Sequence, residues 1–389
     1  MKRLKNVTLM AALALALALT GNLLFAQERS AEDFDKTAEE YYKHRKAAAE
    51  KYNDQQFGLY FYVASLNEFS NKYPDFILPY IDKSQSFFRL EMTDNAMQCY
   101  QKAKELLPAV PDSQKGKEAK ARYYRLSAEI KLLIEKDESG AIKEAELCGK
   151  NFPPLGARAF YTIAAHQASR KSAAAIDSYK KAFEYDKNFE FLDADDIKDF
   201  RNLCDTAKRW TDLAAFYDQY MDASQTCYFY NMGAFAMTAY EKARQKPKAV
   251  LVSIFDREFA LSYKEESADE FIQALKKSFG KDKSAGPCVD FVRKFYDENS
   301  KLSQDDLNTL PESVRNFLPV RYMLKMKNSD DIEGLRKDFD VFVGSSIGHF
   351  YIRLYEKAQK NGDQKSMAEM KEMLKNKRYN QGQKNRLNK

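Results

Sequence analysis

The spacing of apolar residues in "NAMQCYQKAKELL" (95–107) constrains the fold most tightly. Ala96, Tyr100, Ala103 and Leu107 recur at steps of three and four, the period of one face of an α-helix. Stripes of the same period run through 118–135, 156–169, 172–185, 211–222, 267–278 and 349–359. Two-residue alternation bounded by hairpin-turn signals, the mark of half-buried strands, is absent. Ten prolines and fourteen glycines in 389 residues leave long segments unbroken. Helices of 12–18 residues joined by three to eight polar residues follow, and with them helix hairpins. The predicted class is all-α.

The helical stretches also repeat. "YPDF" (73–76) and "VPDS" (110–113) end helical segments 37 residues apart, and "FPP" (152–154) does so again. The best unit runs from Ile77 to Val110. Tyr80 and Ser84 place a large and then a small residue in its first helix. Ala96, Tyr100, Ala103 and Pro108 follow in its second. In this pattern the unit resembles a tetratricopeptide repeat. Small residues let two helices approach, the aromatic fills the groove against the next pair, and proline stops the helix. A second unit (122–155) keeps Ala141, Ala145, Cys148 and Pro153. A third (156–188) keeps Phe160, Ala164, Ala175, Tyr179 and Ala182, with Lys187 where proline is expected. Upstream, Leu66, Phe69 and Pro74 are in register, but Tyr62 replaces a small residue. Downstream, "RWTDLAAFYDQY" and "FYNMGAFA" look like such helices at drifted spacing.

The resemblance implies a right-handed α-solenoid of stacked antiparallel hairpins, since one unit cannot bury its apolar stripe alone. The expected organisation is an N-terminal helical pair over 27–76, repeats over 77–188 and degenerate helical repeats over 189–279. A C-terminal helical region follows over 280–375, then a basic tail, "NKRYNQGQKNRLNK" (376–389), without periodicity. Gly280, Gly286 and Pro287 in "FGKDKSAGPC" mark the boundary before the C-terminal region.

The amino terminus, "MKRLKNVTLMAALALALALTGNLLFAQE", has the layout of a secretory signal. Lys2, Arg3 and Lys5 precede fourteen apolar or small residues from Val7 to Thr20, and Ala26 stands before polar Gln27. Residues 1–26 are therefore expected to be cut off on export, giving a periplasmic or secreted bacterial protein. The alternative is a retained anchor, because Asn6 to Gln27 carries no charge, and only then would the protein meet a membrane. The formal net charge is +6, but residues 1–26 hold three bases and no acid, and 360–389 contribute +6. The stretch 27–359 then sums to −3, which argues against a basic nucleic-acid face. Cys99, Cys148, Cys204, Cys227 and Cys288 form no C-x-x-C pair and read as small buried hydrophobes rather than zinc ligands.

The sequence offers little chemistry. Gly344-Ser345-Ser346-Ile347-Gly348 fits the G-x-S-x-G nucleophile elbow, which needs a strand before it and a histidine arriving later in the chain. The only histidine beyond Ser346 is His349, three residues on, where it would share the nucleophile's own turn. A loop capping a helix that begins at His349 is the better reading. No phosphate-binding glycine loop, dinucleotide fingerprint or H-E-x-x-H is present. The acids of "LDADDIKDF" (192–200) suit a helix cap. Neither catalysis nor a metal or cofactor is expected.

In the register implied by the resemblance, the first helices of successive units line a concave wall. The wall residues are Gln85, Phe88 and Arg89, then Arg122, Arg125 and Glu129, then Arg158 and Tyr161. Four arginines and two aromatics suit an extended acidic peptide or protein segment. The expected function is thus a non-catalytic protein-binding scaffold or adaptor of the cell envelope. The second class is a binder of a small ligand or cell-wall fragment in a pocket between helical lobes.

Overall fold

The computed structural model describes residues 30–52, 57–225, 232–259, 268–297, 299–338 and 349–375. The signal-like segment 1–26, the tail 376–389, Cys227 and the Gly344–Gly348 motif lie outside the described residues. Every regular element among the described residues is helical, as the periodicity predicts. No described helix is long and apolar enough to cross a membrane. The chain divides into two compact units, one ending at Asp186 and one starting at Lys187.

The first unit holds α1 (Ala31–Tyr52), α2 (Gly58–Lys72), α3 (Ile77–Arg89), α4 (Thr93–Leu106), α5 (Gln114–Ile130), α6 (Glu138–Asn151), α7 (Pro153–Ser169) and α8 (Ala174–Tyr185). Each packs on its neighbour in sequence, and α3, α5 and α7 also pack on one another in succession. The positions that carry the repeat pattern do the packing. Ala96, Ala103, Ala141, Ala145, Cys148, Ala164, Ala175, Tyr179 and Ala182 are all fully buried. Backbones touch where Gly149 of α6 meets Gly156 of α7; a Cβ on Gly156 would stand 2.3 Å from the Gly149 Cα. Starts are set locally. Ser113 caps α5 by accepting from the Gly116 N–H, Asp137 caps α6 by accepting from Gly140, and Pro153 opens α7.

One helix breaks the succession. α1 packs on α2 and α3 but also reaches α5. Its Phe34, Ala38 and Tyr41 face the core beside Phe69 and Phe76. Its outer edge is tied to the start of α5, where Lys115 Nζ lies 2.8 Å from Glu39 and Ser113 Oγ donates to Asp35 at 2.5 Å.

The second unit contains α9 (Ala194–Thr206), α10 (Trp210–Ser224), α11 (Met232–Lys242), α12 (Lys246–Phe259), α13 (Ala268–Phe279), α14 (Gly286–Tyr296) and α15 (Gln304–Thr309). It continues with α16 (Leu318–Asn328), α17 (Ile332–Asp338), α18 (His349–Asn361) and α19 (Gln364–Leu374). Its centre is α12, buried at every position from Ala249 to Phe255 and packed against α11, α13, α14, α16 and α18. The acids of 192–200 cap a helix: Asp193 accepts from the Asp196 N–H while Asp196 accepts from that of Asp193. The stretch 279–288, expected as a boundary, lies inside this unit and joins α13 to α14, which pack together.

A single turn geometry links helix pairs in both units. Glu91 (φ 58°), Lys171 (55°), Lys208 (56°), Arg244 (62°) and Gly362 (70°) are left-handed residues between paired helices. In each case the next N–H bonds back five residues: Met92 to Phe87 at 2.9 Å, Ser172 to Gln167 at 3.0 Å and Arg209 to Cys204 at 2.8 Å. The last two are Gln245 to Tyr240 at 2.7 Å and Asp363 to Ala358 at 2.9 Å. This closes the helix C-terminus and satisfies carbonyls that would otherwise lack partners. After α5 a π turn over Lys131–Glu135 lengthens the loop by one residue, so Asp137 bonds to Lys131 beyond left-handed Lys136 (58°). From Lys136 to Arg244 the turn recurs every 35–37 residues, well past position 188, where the sequence pattern fades.

A left-handed lysine costs about 1 kcal/mol that glycine avoids. Lys208→Gly should therefore raise the urea midpoint by the equivalent of about 0.5–1 kcal/mol, and Ala207→Gly, on the right-handed side of the same turn, should lower it. A Lys208→Gly midpoint at or below that of the parent would contradict the turn.

Candidate functional site

The densest polar cluster of the first unit surrounds Asp82, on the face of α3 that α1 and α5 cover. Asp82 is 3% exposed. Its Oδ1 meets the Arg122 guanidinium of α5 at 2.5 Å, and its Oδ2 meets Arg45 Nε of α1 at 2.8 Å. Tyr41 Oη donates to Oδ2 at 2.7 Å. Arg45 also donates to Tyr62 Oη at 3.3 Å, and Tyr42 Oη donates to Glu118 at 2.8 Å while its ring lies 5.9 Å from the Arg122 guanidinium.

A lone carboxylate so buried would be expensive, and two guanidiniums plus a phenol compensate it. Burial works against the charge on Arg122, but Asp82 and then Tyr41 and Tyr42 outweigh it and raise its pKa. Burial, and after it Asp82, pushes Tyr41 well above the ordinary phenol range; burial pushes Tyr42 up to about 12. These groups stay in one protonation state across physiological pH, which suits a structural cluster rather than an acid–base one.

Arg122 and Tyr161 depart from the wall expected of them. The Arg122 side chain is 12% exposed and already paired, so it offers little to a partner. Tyr161 is a core residue, its ring tilted against those of Tyr179 and Phe183 and its Oη donating to Asp186 at 3.1 Å. The register placed both one turn from the packing stripe. It could not foresee that α1 would cover the start of α5, nor that Asp186 would draw the Tyr161 hydroxyl inward.

The remaining residues stay at the surface. Arg89 and Arg158 are exposed, on α3 and α7; Gln85 and Phe88 are half-buried, Phe88 against the core. Arg125 and Glu129 of α5 pair at 3.4 Å with side chains 25% and 30% exposed. Burial raises the Glu129 pKa, opposed by Arg125 and then by Arg89, which brings Arg89, Arg125 and Glu129 into one electrostatic neighbourhood. The folded carboxyl holds its proton more tightly than the unfolded one. Its contribution to stability is therefore present in acid and lost as pH rises through the raised value.

Several further titratable groups of the first and second units are internal. Lys83, 7% exposed, donates to Asn67 at 3.1 Å and Ser70 at 2.9 Å and lies 4.5 Å from the Tyr80 ring centroid; burial lowers its pKa. Cys148 and Cys288 are buried thiols pushed up to about 12 by burial, and Cys204 is buried as well. Among the described residues no three His, Cys, Asp or Glu side chains stand close enough to hold a metal. In the second unit Lys248 Nζ meets Asp218 at 2.5 Å, close to the Tyr240 and Phe317 rings, and Tyr240 Oη donates to the same carboxylate at 2.8 Å.

No protein-family model matches the chain, and no curated protein matches it in sequence. The carboxylates of Asp82 and Glu129 make opposite predictions. Asp82→Asn strands two guanidiniums and should cost about 3 kcal/mol in urea or thermal unfolding. Glu129→Gln removes a charge that burial disfavours and should leave stability at pH 7 unchanged or higher. Equal losses in the two variants would contradict this assignment.

Proposed function

We propose that this chain is an exported helical-repeat protein, a solenoid of the tetratricopeptide type, that works without catalysis as a scaffold for an acidic protein segment. Residues 1–26 act in this reading as the export signal of a periplasmic or secreted protein. The docking face runs over α3, α5 and α7. It comprises Arg89, Arg125, Glu129 and Arg158 with Gln85 and Phe88 beside them, and leaves out Arg122 and Tyr161.

The observation that carries this reading is the half-exposed Arg125–Glu129 pair, 3.4 Å apart on α5, flanked by exposed Arg89 on α3 and exposed Arg158 on α7, helices that pack on α5. Guanidiniums present a planar fork that matches carboxylates, and half-buried ones keep more of their attraction in salt than fully solvated ones do. The successive packing of α3, α5 and α7, and the turn that recurs after the first unit, support the repeat reading. A scaffold also fits a chain whose buried ionisable groups serve packing.

The test reverses two exposed charges and spares the Asp82 cluster. Arg89→Glu with Arg158→Glu should leave the melting temperature nearly unchanged, since exposed substitutions shift stability by about 0.5 kcal/mol or less. Association of an octaglutamate peptide with the double variant should slow, with a weaker dependence on salt, because rim charges act chiefly on encounter. An unchanged rate and salt dependence would contradict the proposed face.

A further inference from the structure

Glu129 stands where a docking face for acidic segments should least want a carboxylate. It sits on α5 one helical turn beyond Arg125, 3.4 Å from its Nε, and within the field of Arg89 on α3. The pair is neither a surface accident nor a sealed core pair: its side chains are 25% and 30% exposed. The Asp82 cluster provides the contrast. There the carboxylate is 4% exposed and meets two guanidiniums and a tyrosine hydroxyl, so nothing can replace it without opening the core. Glu129 makes no comparably short contact, and burial works against its charge more strongly than the two arginines favour it.

We propose that Glu129 is an internal stand-in for the ligand, a carboxylate that occupies the Arg125 guanidinium until the carboxylate of an incoming acidic segment displaces it. Glu129 then sets both affinity and selectivity at this face. A single carboxylate from a partner gains little over the resident one. A segment with several carboxylates in a row engages Arg89 and Arg125 together and overcomes it. The resident charge thus screens out lone anions and favours acidic runs, a selection by built-in repulsion. This inference rests on the docking reading above and adds the residue that tunes it.

The test titrates octaglutamate and free acetate into three forms of the full chain at pH 7.5: wild type, Glu129→Gln and Glu105→Gln. Glu105 lies exposed on α4, paired with Lys102, so its variant makes the same change in net charge away from the face. Glu129→Gln should bind octaglutamate about three to ten times more tightly, the range expected when one half-exposed ion pair is removed, and Glu105→Gln should stay within about twofold of wild type. Free acetate should gain measurable affinity only in Glu129→Gln. Circular dichroism and melting of both variants check that the helices are intact. If wild type binds octaglutamate and Glu129→Gln binds it equally or more weakly, Glu129 positions Arg125 and the stand-in idea is wrong while the docking reading survives. An equal gain in Glu105→Gln would reduce the effect to net charge and also overturn the idea. If no form binds octaglutamate, the docking reading fails and this inference with it.

Discussion

The first unit is organised around a charge that could not be left alone. Asp82 lies under α1 and α5 with side-chain exposure of 4%, and only helices that bring Arg45, Arg122 and Tyr41 to it make that burial tolerable. The need acts as a geometric instruction. α1 must lie across α3 far enough to deliver Arg45 and Tyr41, and α5 must start at the register that delivers Arg122. Apolar packing alone would permit several slides of α1 over the core, since Phe34, Ala38 and Tyr41 meet a broad aromatic floor of Phe69 and Phe76. The pairs of Glu39 with Lys115 and of Asp35 with Ser113 reinforce the same register from the edge. Exposed pairs of this kind add little energy one by one, so the buried cluster is what selects the arrangement.

That arrangement limits what the surface can do. With Arg122 committed to Asp82, the arginines left on α3, α5 and α7 are Arg89, Arg125 and Arg158. The covered end holds the Asp82 cluster, where burial and neighbouring charges keep Tyr41 a neutral phenol and Arg122 a cation. The uncovered end, where recognition is proposed, carries the half-exposed Arg125–Glu129 pair at 3.4 Å.

The all-α class and the small residues that seat the helices were legible in the sequence, because Ala96, Ala103, Ala145 and Ala182 must be small for the helices to close and they recur at helical spacing. Past position 188 the sequence showed helices only as degenerate repeats at drifted spacing, and the regular turn that pairs them was not legible. Its signal is a left-handed residue, usually glycine, and here Lys171, Lys208 and Arg244 fill those places while only Gly362 announces itself. A basic residue at a helix end is common enough to carry no turn information, although its charge suits the helix dipole. Of the candidate wall, the surface positions Arg89, Arg125 and Arg158 could be read from the repeat register. The fate of Arg122 could not. It depends on an aspartate 40 residues away and on α1, whose crossing onto α5 departs from a regular succession of repeats.

The central claim is that the uncovered face of α3, α5 and α7 receives an acidic segment, and locating the contact tests it most directly. An octaglutamate peptide carrying a photoreactive group at one end, irradiated with the full chain and mapped by mass spectrometry, would report where it sits. The account predicts adducts in α3, α5 and α7 near Arg89, Arg125 and Arg158, suppressed by excess unlabelled peptide and by salt. Adducts confined to the second unit, or spread over the exposed lysines in proportion to their number, would contradict it.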